Sequence, residues 1–175
     1  ETQRPTLLQG QAPEGLWDGL AAQVTARGFE LRLVSNAQAI GGANGLTDYG
    51  SHEVSVRTDM DAAAQVKTLA HELGHAVLHS DSAINTFHEF AMFEDTNRME
   101  YEANVFAAEF MLSDDTVLEA LEMQMDFYQT AKCLYVPPEL LDFKLRILQC
   151  QGVRIIAPYI AHGDFLKRDL EQPLS

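Results

Sequence analysis

Residues 67–79 read KTLAHELGHAVLH, and this stretch organises the rest of the chain. It contains the pattern H-E-x-x-H, in which His71 and His75 are four residues apart and Glu72 follows the first of them. On an α-helix, residues four apart share one face, so the two imidazoles can bind one metal ion. Glu72, turned about 100° from His71, is then placed to take a proton from an attacking water. The pattern predicts a metal-dependent hydrolase, provided that the stretch is helical.

The neighbouring residues predict that helix. No proline lies between Asp61, a suitable N-cap, and Ser80. A core-facing apolar stripe has the spacing i, i+3, i+4, i+7 and i+11: Val66, Leu69, Ala70, Leu73 and Val77. At about 100° per residue, His71 and His75 lie about 140° and 180° from that stripe, and Glu72 about 240°. We expect these three side chains to face away from the core, toward a cleft. The alternative is a pair of surface histidines that bind nothing, since so short a motif also arises by chance.

His79 continues the i, i+4 series, but it lies about 12 Å along the helix axis from His71. One tetrahedral zinc ion with bonds of about 2 Å cannot take ligands from both ends of the series. We therefore expect His79 in the cleft wall or at the helix end. One zincin pattern would place a third ligand at Asp81, but it requires a glycine for a sharp turn where this chain has Leu78.

The other pattern takes the third ligand from a later helix, which is predicted here over residues 98–112. Glu100, Glu102 and Glu109 are the candidates. Glu102 is favoured because Ala103 beside it permits a close approach to the motif helix. A dication would also remove the cost of burying its carboxylate among apolar neighbours. The alternative for each glutamate is an ordinary solvated position on the helix surface.

Composition limits the class of protein. The chain has 175 residues, 46% of them hydrophobic and 22% charged, as in an ordinary globular protein, and its apolar runs are too short to span a membrane. Cys133 and Cys150 lack C-x-x-C spacing, which favours free thiols in a reducing compartment, the cytoplasm, over the alternative of a single bridge between them. A net charge of −14 argues against nucleic acid as the main partner and suits a basic protein partner.

The remaining pattern predicts an α+β fold. A zincin-like domain, residues 1–125, would have a small twisted sheet packed on the motif helix, and a helical subdomain, residues 126–175, would pack on it. After an extended lead-in, the expected elements are a helix at 14–26 closed by Gly28, alternating strands at 29–34 and 52–57, and a Gly-rich turn at 41–45 between them. The strand before the motif helix would form the cleft edge, where an extended peptide could add as a further strand.

Beyond the motif helix, a loop is expected at 80–96, and a helix capped by Ser113 would end near Met125. Two short helical segments follow, at 130–135 and 139–146, and then a terminal strand at 153–160. The pair of segments is loosely like a helix-turn-helix. We favour packing on the catalytic part over DNA binding, because Glu139 and Asp142 offset its few basic residues.

Two of these segments resemble one family. The sequences TLAHELGH at 68–75 and EANVFAAEFML at 102–112 resemble the ImmA/IrrE metallopeptidases, a gluzincin-like group. The resemblance implies zinc as the cofactor and makes the glutamate of the E-A-N segment, Glu102, its third ligand. Members of the group cleave a transcriptional repressor, which implies limited proteolysis of one regulatory protein. The family's proline after this helix is replaced here by S-D-D at 113–115. The N-terminal part, residues 15–48, is similar to the zincin-like domains of ArdC-type antirestriction proteins.

In the mechanism that this implies, Glu72 is the general base, and a donor for the developing oxyanion is still needed. Asn104 could orient a metal ligand from behind. The oxyanion candidates are Tyr49, His52, His79 and His88. The first hypothesis is a zinc endopeptidase that acts on a regulatory protein. The second is a non-proteolytic antirestriction or partner-binding module that retains a zinc site.

Overall fold

Six α-helices and a three-stranded sheet account for most of the residues that the computed structural model describes, 15–79 and 93–155. The helices are α1 (Leu16–Ala26), α2 (Ala62–Leu78), α3 (Phe93–Met111), α4 (Asp114–Glu122), α5 (Phe127–Cys133) and α6 (Pro138–Cys150). The strands are β1 (Glu30–Val34), β2 (Gly45–Asp48) and β3 (Glu53–Arg57), and a 3₁₀ helix, Ala37–Ile40, lies between β1 and β2. The predicted α+β fold is confirmed. None of the described helices is long and apolar enough to cross a membrane.

The elements before the motif helix appear in the predicted order, with one strand added besides the 3₁₀ helix. α1 ends as expected at Gly28, whose φ of 82° lets the amide of Phe29 bond back to the carbonyl of Val24 at 3.2 Å. β1 and β3 occupy the two predicted strand positions. The addition is β2, which begins at the last glycine of the Gly-rich segment 41–45.

The sheet has the order β1-β3-β2, with β3 parallel to β1 and antiparallel to β2. The prediction that the strand before the motif helix forms the cleft edge is therefore wrong. That strand is β3, and the backbone groups of a central strand already bond to neighbours on both sides. The edge strand that borders the cleft is β2.

α2 is the motif helix, and its predicted cap and apolar stripe are both present. The Asp61 side chain accepts a hydrogen bond from the amide of Ala64 at 2.8 Å. The stripe residues Val66, Leu69, Ala70 and Leu73 are buried, and Val77 is partly buried. The opposite face is less open than predicted, because α3 packs along it and buries His75 and His79.

α3 is longer than predicted, since it starts at Phe93, inside the stretch expected to be a loop. The rest of that expected loop, 80–92, lies outside the described residues. The contact between α3 and α2 is unusually close at Gly74, where an added Cβ would lie 3.1 Å from the Cα of Ala103. Ala103 and Ala107 are fully buried in this contact. Small residues on both helices therefore let their backbones approach.

The C-terminal helices also follow the prediction. α4 begins after Ser113, whose hydroxyl accepts from the amide of Thr116 at 3.2 Å, and it ends three residues before Met125. α5 and α6 are separated at the predicted V-P-P break, and α6 packs against α3. Residues 153–155 are not in a strand. The rest of the predicted terminal strand, 156–160, and the predicted lead-in, 1–13, lie outside the described residues.

Two details bear on the predicted partners and compartment. Lys144 of α6 is 1% exposed and forms salt bridges with Glu109 at 2.9 Å and with Asp114 at 2.6 Å. This basic side chain is therefore turned into the protein rather than toward a nucleic acid. Cys133 is buried and Cys150 is exposed, and both thiols are free, as predicted.

Candidate metal centre

Two helices bring three ligand groups together at one point. α2 presents His71 and His75, and α3 presents Glu100. The two Nε2 atoms are 3.1 Å apart. Oε2 of Glu100 lies 3.1 Å from Nε2 of His71, and Oε1 lies 3.2 Å from Nε2 of His75. Among residues 15–79 and 93–155 this is the one such cluster of histidine, cysteine and carboxylate groups.

These separations fit a single metal ion. With bonds of about 2.0–2.1 Å, two ligand atoms of a tetrahedral site lie about 3.3 Å apart. The observed separations of 3.1–3.2 Å are close to that value. Two imidazoles and one carboxylate are a donor set of catalytic zinc, which keeps one further position for water.

Glu100, rather than Glu102, is the carboxylate in the cluster. Hydrogen bonds with His71 and His75 hold the pKa of the Glu100 carboxyl well below its ordinary range. Oε2 of Glu102 lies instead 3.0 Å from Nε2 of His79, and Oε1 accepts from Arg98 at 2.8 Å. Residues 100 and 102 are turned about 200° apart on a helix, so only one of them can face the histidine pair. The structure thus places Glu100, the alternative that the sequence left open, next to His71 and His75, and it places Glu102 elsewhere.

Each candidate histidine ligand has a partner behind it. Nδ1 of His71 lies 2.9 Å from Oδ1 of Asn104, the residue that the sequence suggested for orienting a ligand. A carbonyl oxygen can only accept, so this contact favours the tautomer of His71 with the proton on Nδ1, which leaves the lone pair of Nε2 for a metal. Nδ1 of His75 lies 3.1 Å from Nδ1 of His79.

Glu72 is the buried carboxylate beside the cluster. Its side chain is 5% exposed, and the hydroxyl of Thr47 on β2 donates to its Oε2 at 2.7 Å. Burial raises the pKa of the Glu72 carboxyl, and the hydrogen bond from Thr47 acts in the opposite direction. A carboxylate with a raised pKa is better matched to proton transfer near neutral pH than an ordinary glutamate.

Gly45 is the residue that leaves space for this carboxylate. A Cβ at position 45 would lie 2.6 Å from Oε1 of Glu72 and 2.7 Å from Cγ2 of Thr68. Real Cβ atoms essentially never lie so close to another heavy atom. The absence of a side chain at the start of β2 therefore makes room for Glu72 in its observed position.

A cleft of about 500 Å³ opens over the cluster, a volume typical of ligand sites. β2 and the residues before it form one wall, and α2 and α3 form the others. The lining includes the candidate ligands together with Lys67, Thr68 and Met99. Because an edge strand forms one wall, an extended peptide could pair with it directly above the cluster.

The four oxyanion candidates fall in different places. Tyr49 lines the cleft, and its hydroxyl donates to the carbonyl oxygen of His75 at 3.3 Å. Burial, with the nearby charges of Glu72 and Glu100, raises its pKa to about 12, so the phenol stays protonated at neutral pH. His79 has both ring nitrogens within bonding distance of neighbouring side chains. His52 packs against the ring of Phe29 and is absent from the cleft lining. His88 lies outside the described residues.

Thr47 and Gly45 are the site residues that the sequence analysis missed. Thr47 alternates with Leu46 along β2, but it is the polar residue that faces α2, while Leu46 is 45% exposed. Hydrophobic alternation therefore points to the wrong face of this strand. The Gly-rich approach to β2 was visible, but it indicated a turn and not a close contact with Glu72.

The fold and site define a metallopeptidase class, in which an H-E-x-x-H helix and a carboxylate from a following helix meet beside a small sheet. The chain belongs to the peptidase M78 family, because the model of its IrrE N-terminal-like domain matches residues 35–146. Over 111 residues the chain is 32% identical to "Metallopeptidase ImmA" of Bacillus subtilis (strain 168). That match covers 61% of this chain and 64% of the relative, so it spans less than two thirds of either.

These comparisons confirm the predicted ImmA/IrrE family. They leave the similarity of the N-terminal part to ArdC-type domains as a prediction. The family is one of metallopeptidases, which accords with a donor set suited to a metal ion.

Proposed function

We propose that this chain is a zinc-dependent endopeptidase that performs limited proteolysis of a regulatory protein. The observation that carries this is that one ligand atom each from His71, His75 and Glu100 lies within 4.8 Å of the others, while the buried Glu72 lines the same open cleft. His71, His75 and Glu100 would hold the metal. Glu72, which has no place in that ligand set, remains available to move protons.

A bound zinc ion would supply a Lewis acid that polarises the scissile carbonyl and acidifies the attacking water. Glu72 takes the proton from that water and passes it to the leaving amine. The hydrogen bond from Thr47 holds the carboxylate in one orientation for both transfers, and the absence of a side chain at Gly45 leaves room for it there. The hydroxyl of Tyr49, which lines the same cleft and stays protonated, is the described group best placed to donate to the oxyanion.

The proposed substrate is a transcriptional repressor of the helix-turn-helix kind, met in the cytoplasm. A strand-edged cleft accepts an extended segment, such as a linker, more readily than a folded surface. The net charge of −14 also favours a partner that carries the basic surface of a DNA-binding protein. The family resemblance led to the same class of substrate.

Zinc content and cleavage, measured on the same variants, test the proposal. Glu72→Gln should keep one zinc per chain and lower cleavage of a helix-turn-helix repressor that the parent chain cuts by about 10²–10⁴-fold, because only the proposed general base is lost. Glu100→Ala should weaken zinc binding by more than the roughly 10–100-fold that loss of an outer partner costs. Glu119→Gln, at an exposed position of α4, is the matched control and should change neither quantity.

Two results would contradict the proposal. If Glu72→Gln cleaved as fast as the parent chain, the second hypothesis, a non-proteolytic module that keeps zinc, would replace the first. If Glu100→Ala bound zinc as tightly as the parent chain, the ligand set itself would be incorrect.

A further inference from the structure

His75 is backed by a chain of polar contacts that leads to the surface. Its Nδ1 lies 3.1 Å from Nδ1 of His79, whose Nε2 lies 3.0 Å from Oε2 of Glu102. The other carboxylate oxygen of Glu102 accepts from Nε of Arg98 at 2.8 Å. The contacts run from a buried imidazole, through a second ring that is 6% exposed, to a carboxylate that is 35% exposed.

The proton positions along this chain are fixed by the metal site, so this step rests on the proposed function. If Nε2 of His75 binds a metal, its lone pair is used there and the ring proton must lie on Nδ1. Nδ1 of His79 must then accept that proton in a hydrogen bond, which leaves the proton of His79 on Nε2. That proton points to Glu102, which as a carboxylate can only accept. Every link has one donor and one acceptor.

The contacts also exclude the simpler role of His79 as a ligand. Its Nδ1 meets Nδ1 of His75, on the side of that ring opposite to the Nε2 that faces Glu100. His79 therefore lies behind His75 and not beside the metal position. His79 contacts Nδ1 of His75 in the same way as Asn104 contacts Nδ1 of His71.

We propose that His79 and Glu102 are positioning residues that hold His75 in the tautomer and orientation needed to bind the metal. Glu102 fixes the proton of His79 on Nε2, and His79 fixes the proton of His75 on Nδ1. The negative charge of Glu102, transmitted through two polarised hydrogen bonds, makes Nε2 of His75 a stronger donor to the metal. The E-A-N glutamate thus acts on the metal through two imidazoles.

The test is the zinc dissociation constant, measured by competition with a chelator of known affinity. His79→Phe keeps a ring of similar size and removes both nitrogens, and it should weaken zinc binding about 10–100-fold. His79→Asn places an amide oxygen near the position of Nδ1 and should recover most of that loss. Glu102→Gln keeps an acceptor without its charge and should fall between the parent chain and His79→Phe. His52→Asn, at a histidine outside the cleft, is the matched control and should bind zinc like the parent chain.

A second measurement does not depend on the folding of any variant. In the zinc-loaded parent chain, long-range proton–nitrogen NMR should show His75 protonated on Nδ1 and His79 protonated on Nε2. Melting curves of the metal-free variants show whether His79→Phe still folds. If His79 had only a structural role, His79→Phe would have a lower melting temperature. Such a role would not predict that His79→Asn recovers zinc binding, or that His75 and His79 have the tautomers given above.

Either of two results would overturn the inference. One is a zinc affinity of His79→Phe within twofold of the parent chain while His75→Ala loses zinc. The other is His79 protonated on Nδ1. These results are distinct from failure of the proposed peptidase activity. Unimpaired cleavage by Glu72→Gln would refute the peptidase proposal, whereas the zinc affinities of the His79 variants test only the positioning of His75.

Discussion

The substitution Gly45→Ala tests whether the position of Glu72 is set by the strand opposite it. The added Cβ would lie 2.6 Å from Oε1 of Glu72 and 2.8 Å from its Cγ. Non-bonded contacts are comfortable beyond about 3.4 Å, so the carboxylate must move by about 0.8 Å. It has little room to do so, because the side chain is buried and Thr47 bonds its other oxygen. The same Cβ would also press on Cγ2 of Thr68, at 2.7 Å.

If Glu72 is the general base, as proposed, its displacement slows proton transfer without disturbing the proposed metal ligands. A misplacement of about 1 Å costs as much as 10²-fold in rate, so kcat should fall about 10–100-fold, or roughly 1.4–2.7 kcal/mol. Zinc affinity should stay within about threefold of the parent value, because the three atoms nearest to the added Cβ belong to Glu72 and Thr68 and not to the proposed ligands His71, His75 and Glu100. Overpacking should also lower the free energy of unfolding by about 1–3 kcal/mol. The assay is cleavage of a fluorogenic peptide, chosen by mass spectrometry from a peptide library digested by the zinc-loaded chain.

Gly19→Ala is the matched control. Gly19 lies within α1, and a Cβ there meets nothing within 4 Å. The exchange should leave kcat unchanged and should stabilise the helix by about 0.5–1 kcal/mol. If Gly45→Ala kept a kcat within twofold of the parent chain, the absence of a side chain at this position would not be what places Glu72. The role given to β2 would then be incorrect.

Three further predictions concern the contact between α2 and α3, the buried Lys144 and the reactivity of the two cysteines. Gly74→Ala should raise the zinc dissociation constant by roughly tenfold. A Cβ at this position would lie 3.1 Å from the backbone of α3 and would force apart the two helices that carry the proposed ligands. An unchanged zinc titration would contradict this. Lys144→Met should lower the free energy of unfolding, measured in urea, by about 1–2 kcal/mol. The double variant Glu109→Gln/Asp114→Asn should lower it more, by roughly 3–5 kcal/mol, because the buried ammonium of Lys144 then has no carboxylate partner. The reverse order would refute the reasoning. Iodoacetamide at pH 8 should alkylate Cys150 in the folded chain and Cys133 only after unfolding, because burial protects the Cys133 thiol and raises its pKa; equal labelling by mass spectrometry would count against it.

The motif helix was predictable because several independent signals in it agree. The cap at Asp61, the apolar spacing and the H-E-x-x-H pattern all describe one helix with one buried face, and α2 has that cap and that face. The helices and the two longer strands were predictable for the same reason, since periodicity and turn chemistry coincide there. Local sequence is informative wherever burial alone decides which residue faces inward.

β2 was missed because its inward face is chosen by the site and not by hydrophobicity. Its Gly45 and Thr47 face α2, while Leu46 is largely exposed. A four-residue strand with a polar inner face gives the opposite alternation to the one that predicts strands. Rules that predict burial from side-chain polarity fail at positions where a polar side chain points inward to form a hydrogen bond with a buried charged group, as Thr47 does with Glu72.

The sequence favoured Glu102 over Glu100, the glutamate that the structure places with His71 and His75, because spacing along a chain does not fix the rotation of a helix about its axis. Glu100 and Glu102 are both plausible by composition, and they lie about 200° apart. What decides between them is the close contact at Gly74, which turns Ala103 and Ala107 toward α2 and carries Glu100 and Asn104 over His71. The same rotation places Glu102 at the far end of the histidine series, against His79. The two glutamates therefore lie at opposite ends of one row of three imidazoles, one at the proposed metal position and one behind it. Glu102 can orient His75 through His79 without binding the metal itself. Both glutamates can therefore affect metal binding, although only Glu100 lies at the proposed metal position.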